Sequence, residues 1–185
     1  MIEVEVKASI RDIHSVLGKI HALGAEYIGE EYHEDVYFKS PNGDLARRDE
    51  ALRIRKTQNG TYITYKGPKI DPETKTREEI EIRIDDPEKA IDIFMKLGFD
   101  VLAVVRKRRR IYRYDGFTIC IDEVEGLGHF IEVEKLVNGE GIEGGKRKIF
   151  ALLAMLGISR NETIRKSYLE MLYSRMGLIS VKRND

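Results

Sequence analysis

Ile2-Glu3-Val4-Glu5-Val6-Lys7 alternates without a break. In an extended chain Ile2, Val4 and Val6 fall on one face, and Glu3, Glu5 and Lys7 on the other. A period of two with one apolar and one fully charged face specifies a strand. The same alternation recurs along the chain. Arg53 and Arg55 share a face, as do Thr64 and Lys66, then Arg77, Glu79, Glu81 and Arg83, then Lys107 and Arg109, then Glu132 and Glu134. The opposite faces carry Ile, Leu, Val, Tyr and Phe. Asp122 sits on a strand whose neighbours are apolar.

The connections support an antiparallel arrangement. Gln58-Asn-Gly60 and Asp115-Gly116 read as hairpin turns, and Ser40-Pro-Asn-Gly-Asp44 as a longer one. A long arm over residues 25–39 is rich in Tyr and Val. A strand is expected over 76–84, and the pair 99–114 and 117–124 flanks Asp115-Gly116. A last strand covers 130–137. Ser9 or Asp12 can cap a helix that carries Ile13, Leu17, Ile20 and Leu23 at helical spacing. Asp86-Pro87 opens another, with Ile91, Phe94 and Leu97. Two more helices are expected at 143–156 and 161–174. About eight strands and a helix at equivalent places in each half suggest a loose structural duplication.

Composition narrows the class. The 185 residues are 42% hydrophobic, enough for a core, and the 32 Lys+Arg balance the 32 Asp+Glu. A net charge of zero argues against a nucleic-acid binder that works through bulk positive charge. Apolar runs such as 149–156 are too short to cross a bilayer, and Glu3, Glu5 and Lys7 interrupt any leader-like stretch. A cytoplasmic protein is expected, with no nucleic-acid or membrane partner. The one cysteine, Cys120, forms no intrachain disulfide and reads as a small apolar strand residue.

A sheet with one wet face is the ordinary reading of such alternation, and cross-strand ion pairs stabilise it by ~0.2–1 kcal/mol each. Two features favour another. The polar faces are almost purely ionic, and about eight antiparallel strands suffice to close a barrel. With helices covering the apolar outside, the charges would turn inward. Neighbouring like charges, such as Glu3/Glu5 or Arg53/Arg55, then repel unless a ligand supplies countercharge. Carboxylates suit a hard divalent cation, Mg²⁺ or Mn²⁺, and basic pairs suit phosphate oxygens. A metal-chelated polyphosphate satisfies both sets.

The ordered landmarks resemble one family. Glu3-Val-Glu5-Val-Lys7 matches the ExExK signature of the CYTH domain, the triphosphate tunnel metalloenzymes. Asp35-Val-Tyr37-Phe38, Leu52-Arg-Ile-Arg55, Thr64-Tyr-Lys66, Arg77-Glu-Glu79-Ile-Glu81, Lys107-Arg-Arg109 and Arg165-Lys-Ser167-Tyr168 follow in the family's order. The segment Asp122-Glu-Val-Glu-Gly-Leu-Gly-His-Phe-Ile-Glu132-Val-Glu134 looks most like the class IV adenylyl cyclase branch. The resemblance implies a single domain over 1–174, with a tail over 175–185. It implies an α+β fold: an eight-stranded antiparallel barrel with helices packed on the outside.

It also implies roles. Glu3, Glu5, Asp122, Glu132 and Glu134 are expected as ligands of Mg²⁺ or Mn²⁺. Lys7, Arg53, Arg55, Lys66, Lys107 and Arg109 are expected to clamp the triphosphate, and Lys166 to close one end. Lys7 and Glu5 are the catalytic candidates, while Arg77, Glu79 and Glu81 match a looser part of the pattern. Arg106, Arg108 and Arg110 should face outward. The implied substrate is ATP or tripolyphosphate. The implied reaction is cyclisation to cyclic AMP and pyrophosphate, with triphosphate hydrolysis and non-catalytic binding as alternatives. A homodimer is compatible with the apolar outer faces.

Overall fold

The computed structural model describes residues 2–137 and 141–175. The strands are β1 (Ile2–Ile10), β2 (Glu26–Lys39), β3 (Ala51–Thr57), β4 (Gly60–Lys66), β5 (Glu79–Ile84), β6 (Asp100–Tyr114), β7 (Phe117–Val124) and β8 (Gly128–Val137). They form one eight-stranded sheet in the order β1-β8-β7-β6-β2-β3-β4-β5. Every pairing is antiparallel. The helices are α1 (Ile13–Ala22), α2 (Asp44–Arg47), α3 (Pro87–Lys96), α4 (Gly141–Met155) and α5 (Tyr168–Arg175).

The sheet curls so that its charged faces meet. Its end strands, β1 and β5, share no ladder. Irregular segments take up the edge of β1 instead. The amide of Lys75 donates to the Glu5 carbonyl at 3.0 Å, that of Ile164 to the Lys7 carbonyl at 2.6 Å, and Ala8 bridges to Thr163.

The outer faces hold two cores. Val4, Val6, Ile119, Ile121, Ile131 and Val133 lie beneath Val16 and Ile20 of α1 and Ile149, Leu152 and Leu153 of α4. Val36, Phe38 and Ile54 lie beneath Ile91 and Phe94 of α3. Two of the helices start alike. Asp12 accepts from the Ser15 amide at 3.0 Å, and Asp86 accepts from the Lys89 amide at 3.0 Å with Pro87 in the first turn. Such caps are worth ~1 kcal/mol each. Among the described residues, helix α4 has no counterpart over β4 and β5.

Three expectations are corrected. The strand expected over 76–84 starts only at Glu79, because the preceding segment turns aside onto β1. The helix expected over 161–174 is a short 3₁₀ turn, Arg160–Glu162, followed by an extended run and then α5. The backbone at Thr163 and Ile164 bonds to β1, and that removes those residues from a helical ladder. Nor does α5 pack on the outside. Tyr168 packs with Tyr37, Val105, Val124 and Phe130, all on the inner face of the sheet, so α5 plugs one end of the barrel. Residues 176–185 of the expected tail lie outside the described residues.

Candidate functional site

Alternation carries the charges inward. A cavity of about 370 Å³ is lined by residues of β1, β2, β3, β4, β5, β6 and β8 together with the 67–78 loop and the start of α5. Glu3, Glu5, Arg53, Arg55, Lys66, Lys107, Arg109, Glu132 and Glu134 all line it, and so do Arg77, Glu79 and Glu81. Lys7 and Asp122 do not line it; they are buried behind Tyr168, Lys107 and Arg109, 1% and 0% exposed. Arg106, Arg108 and Arg110 face outward as expected, paired with Glu34, Glu123 and Glu30.

The cations are held by internal acids. Arg55 makes a two-pronged contact to Asp35 at 2.6 and 2.7 Å, and Arg53 reaches the same carboxylate at 3.4 Å. Arg109 forks onto Asp122 at 2.7 Å through two nitrogens and also bonds Glu132. Lys107 donates to Asp122 at 2.9 Å, and Lys66 bonds Glu79. Burial works against the charge on Asp35, but Arg55 and Arg53 outweigh it and hold the carboxyl well below the usual range. At Asp122 burial is likewise overcome by Arg109 and Lys107, leaving the group near about 2.

Three carboxylates lie together with less compensation, although Lys75 bonds Glu5 and Arg109 lies 3.5 Å from Glu134. Glu3, Glu5 and Glu134 each place an oxygen within 4.8 Å of the others. Burial first, then Glu5 and Glu3, push the Glu134 carboxyl up to about 8, although Arg109 opposes them. Burial, Glu5 and Glu79 raise Glu3 as well. The trio offers hard oxygen donors with surplus negative charge, which fits a divalent cation such as Mg²⁺ or Mn²⁺. Asp122 and Glu132, expected beside them, are instead engaged by cations. Asp122 is saturated by Lys107, Arg109 and the Tyr168 hydroxyl, which donates at 2.9 Å.

Lys7 occupies the plugged end. Its ammonium bonds the Lys166 carbonyl and lies 4.0 Å from the centre of the Tyr168 ring. Burial, followed by the nearby Lys75, lowers its pKa to about 7. Burial and then Arg53 lower Lys66 to about 8. The Lys166 side chain does not close the cavity; it is exposed and reaches Ser174 at 3.4 Å. The extended run along β1 turns its carbonyl inward and its ammonium outward.

Sequence reading gave no role to three participants, although Asp35 and Tyr168 stand among the family's landmarks. Lys75 bonds Glu5 and reaches Glu132 at 2.9 Å. Burial disfavours its charge, yet Glu132 and Glu5 raise its pKa. It lies before β5, in the segment that turns aside onto β1, where strand alternation gives no signal. Asp35 stands two residues before inward-facing Tyr37, and alternation along β2 was the signal for it. Tyr168 gave no periodic signal, because its position depends on where α5 begins.

Comparison with known proteins agrees with this geometry. The model of the CYTH domain matches residues 1–168. A Methanocaldococcus jannaschii protein provisionally named an adenylate cyclase is 45% identical over 173 residues, covering 92% of this chain and 98% of that one. Adenylate cyclase CyaB of Aeromonas hydrophila is 30% identical over 184 residues, covering 97% and 93%. The solved structure of the PH1819 protein from Pyrococcus horikoshii superposes with a TM-score of 0.86 at 39% identity, over 94% of this chain and 99% of that one. The chain belongs to the CYTH domain family.

Proposed function

We propose that this chain is a metal-dependent enzyme that binds a triphosphate inside the barrel and cyclises ATP to cyclic AMP and pyrophosphate. One observation carries the reading. Cations and carboxylates from separate strands face one cavity, where the acids that pair the cations can be exchanged for phosphate oxygens. The adenylate cyclase names of similar proteins support the choice of reaction.

Arg53 and Arg55 would leave Asp35 for the phosphate chain, joined by Lys66, Lys107 and Arg109. Guanidinium forks match phosphate oxygens in geometry and charge. Glu3, Glu5 and Glu134 would hold Mg²⁺ or Mn²⁺. When bound, the cation neutralises phosphate oxygens and favours attack at phosphorus. The ribose 3′ oxygen forms its bond to the α-phosphorus as the bond to the bridging oxygen breaks, and pyrophosphate leaves. Lys7, buried beside the plug, would receive the hydroxyl proton at Nζ once it leaves the Lys166 carbonyl. The basic residues stabilise charge that builds on the leaving group.

The same residues could present the terminal phosphorus to water, which would make the protein a triphosphatase. The test is purified protein with Mg²⁺ or Mn²⁺ and either ATP or tripolyphosphate. Cyclic AMP with pyrophosphate supports the cyclase. Orthophosphate from tripolyphosphate identifies a triphosphatase instead, and tight binding without product over hours a non-catalytic module.

A further inference from the structure

The segment before β5 lies against the free edge of β1 and is fastened on both sides. On its outer side the Lys146 ammonium of α4 reaches Asp71 at 3.2 Å, Glu73 at 2.9 Å and Glu143 at 2.6 Å. Asp71 in turn accepts from the amides of Glu73 and Thr74, each at 2.8 Å. Further along, Thr74 and Thr76 are each 1% exposed, with their hydroxyls 2.7 Å apart. Between them the Lys75 amide donates to the Glu5 carbonyl at 3.0 Å. With its backbone held there, Lys75 sends its ammonium inward, where it bonds Glu5 and reaches Glu132 at 2.9 Å.

Two places for a cation therefore lie side by side. Glu3, Glu5 and Glu134 bring carboxylate oxygens within 4.8 Å of one another, while Glu5 and Glu132 converge on Lys75. Glu5 belongs to both, and a carboxylate has two oxygens to share. Two-metal sites for phosphoryl chemistry place their ions about 3.5–4 Å apart, a spacing that one shared carboxylate can span. The two places differ in charge. The first keeps surplus negative charge. At the second, Lys75 and Arg109 both bond Glu132, and a divalent ion would meet an ammonium at the same oxygens and be repelled.

We propose that Lys75 takes the place of a second divalent ion, so that the barrel works with one metal at Glu3, Glu5 and Glu134 and a tethered ammonium at Glu5 and Glu132. The inference rests on the reading of the trio as the metal site. The ammonium supplies one positive charge where an ion would supply two, and its presence does not depend on the concentration of free metal. It has three N–H donors. Two go to Glu5 and Glu132, and the third is left for an oxygen of the phosphate chain.

Counting bound Mn²⁺ by electron paramagnetic resonance tests this on the full chain, with Mn²⁺ alone as the probe and no nucleotide. Wild type is expected to bind one ion per chain. Lys75→Met, which keeps the stem and removes the charge, is expected to bind two, and Lys75→Arg to bind one. Circular dichroism checks that each variant is folded. A second pair of variants does not depend on the folding of Lys75→Met. Glu134→Gln should weaken Mn²⁺ binding at least about 10-fold, since even the outer partners of metal ligands are worth that much. Glu132→Gln should weaken it far less, because its carboxylate serves Lys75 and Arg109. Two ions in wild type, one ion in folded Lys75→Met, or equal losses in Glu132→Gln and Glu134→Gln overturn the proposal and leave the metal reading standing. No bound Mn²⁺ in wild type or in any variant overturns both.

Discussion

The wall built from β1, β8 and β7 differs from the wall built from β3, β4 and β5. On the first, Val4, Val6, Ile131 and Val133 are 0–1% exposed beneath α1 and α4. Helix α4 comes so close that a methyl group on Gly145 would collide with Val137. On the second, among the described residues, α3 is the main covering helix and none of its residues is buried. The charge follows the packing. The tightly covered wall carries Glu3, Glu5 and Glu134, which repel one another. The thinly covered wall carries Arg53, Arg55 and Lys66, each already paired with an acid. Holding like charges together costs free energy, and a rigid buried scaffold supplies it. Cations that must change partners are served by a looser one.

The largest effect belongs to the acids. Glu5→Gln keeps the shape and removes one charge, so metal-dependent turnover should fall by about 1,000-fold, in the upper range for removing one electrostatic contact to a reacting group. Steady-state rates with Mn²⁺ check this, and full activity would refute the ligand role. Next comes the scaffold. Ile149 is 0% exposed between α4 and the first wall, so Ile149→Ala should lower stability by ~3 kcal/mol in urea titration. A loss below ~1 kcal/mol would mean that wall is not rigid.

On the second wall, Arg55→Ala should weaken tripolyphosphate binding by ~2 kcal/mol, about 30-fold, by calorimetry. Unchanged affinity would remove Arg55 from the clamp. A related pH effect tests the ion pairs in the empty cavity. Asp122 ionises near about 2 rather than at its ordinary 3.8, because Arg109 and Lys107 overcome burial. Its contribution is complete above the ordinary value and disappears as pH falls through the lowered one, a loss of about 2 kcal/mol. Asp122→Asn should flatten that acid limb of thermal stability. An unaltered limb would show that Asp122 is not held as an anion.

Most of the barrel was legible because alternation is a strong local signal. Glu3 to Lys7, and Ile131 to Glu134, read as strands with their inner and outer faces assigned correctly. The inward charges were legible for the same reason. Their partners were not. Glu132 and Glu134 look alike in sequence, yet Lys75 and Arg109 hold one as an anion while the other is pushed towards neutrality. That distinction comes from contacts made across the barrel. Lys75 itself was hidden in a loop bounded by Gly67, Pro68 and Pro72, and Lys166 was misjudged because the run before α5 bonds to β1 rather than continuing a helix.

The smallest effect is the sharpest test of the contrast between the walls. Ile93 of α3 is 56% exposed. Truncating it removes little area from contact, and alanine is the better helix former, so Ile93→Ala should change stability by no more than about 0.5 kcal/mol. The same chemical deletion at Ile149, in α4, is expected to cost several times more. Equal losses in parallel urea titrations would mean that α3 grips its wall as firmly as α4 does. The division between a rigid acidic wall and a looser basic one would then fail. A near-zero loss at Ile93 beside a large one at Ile149 would localise the stability of the barrel to the side that holds the repelling carboxylates.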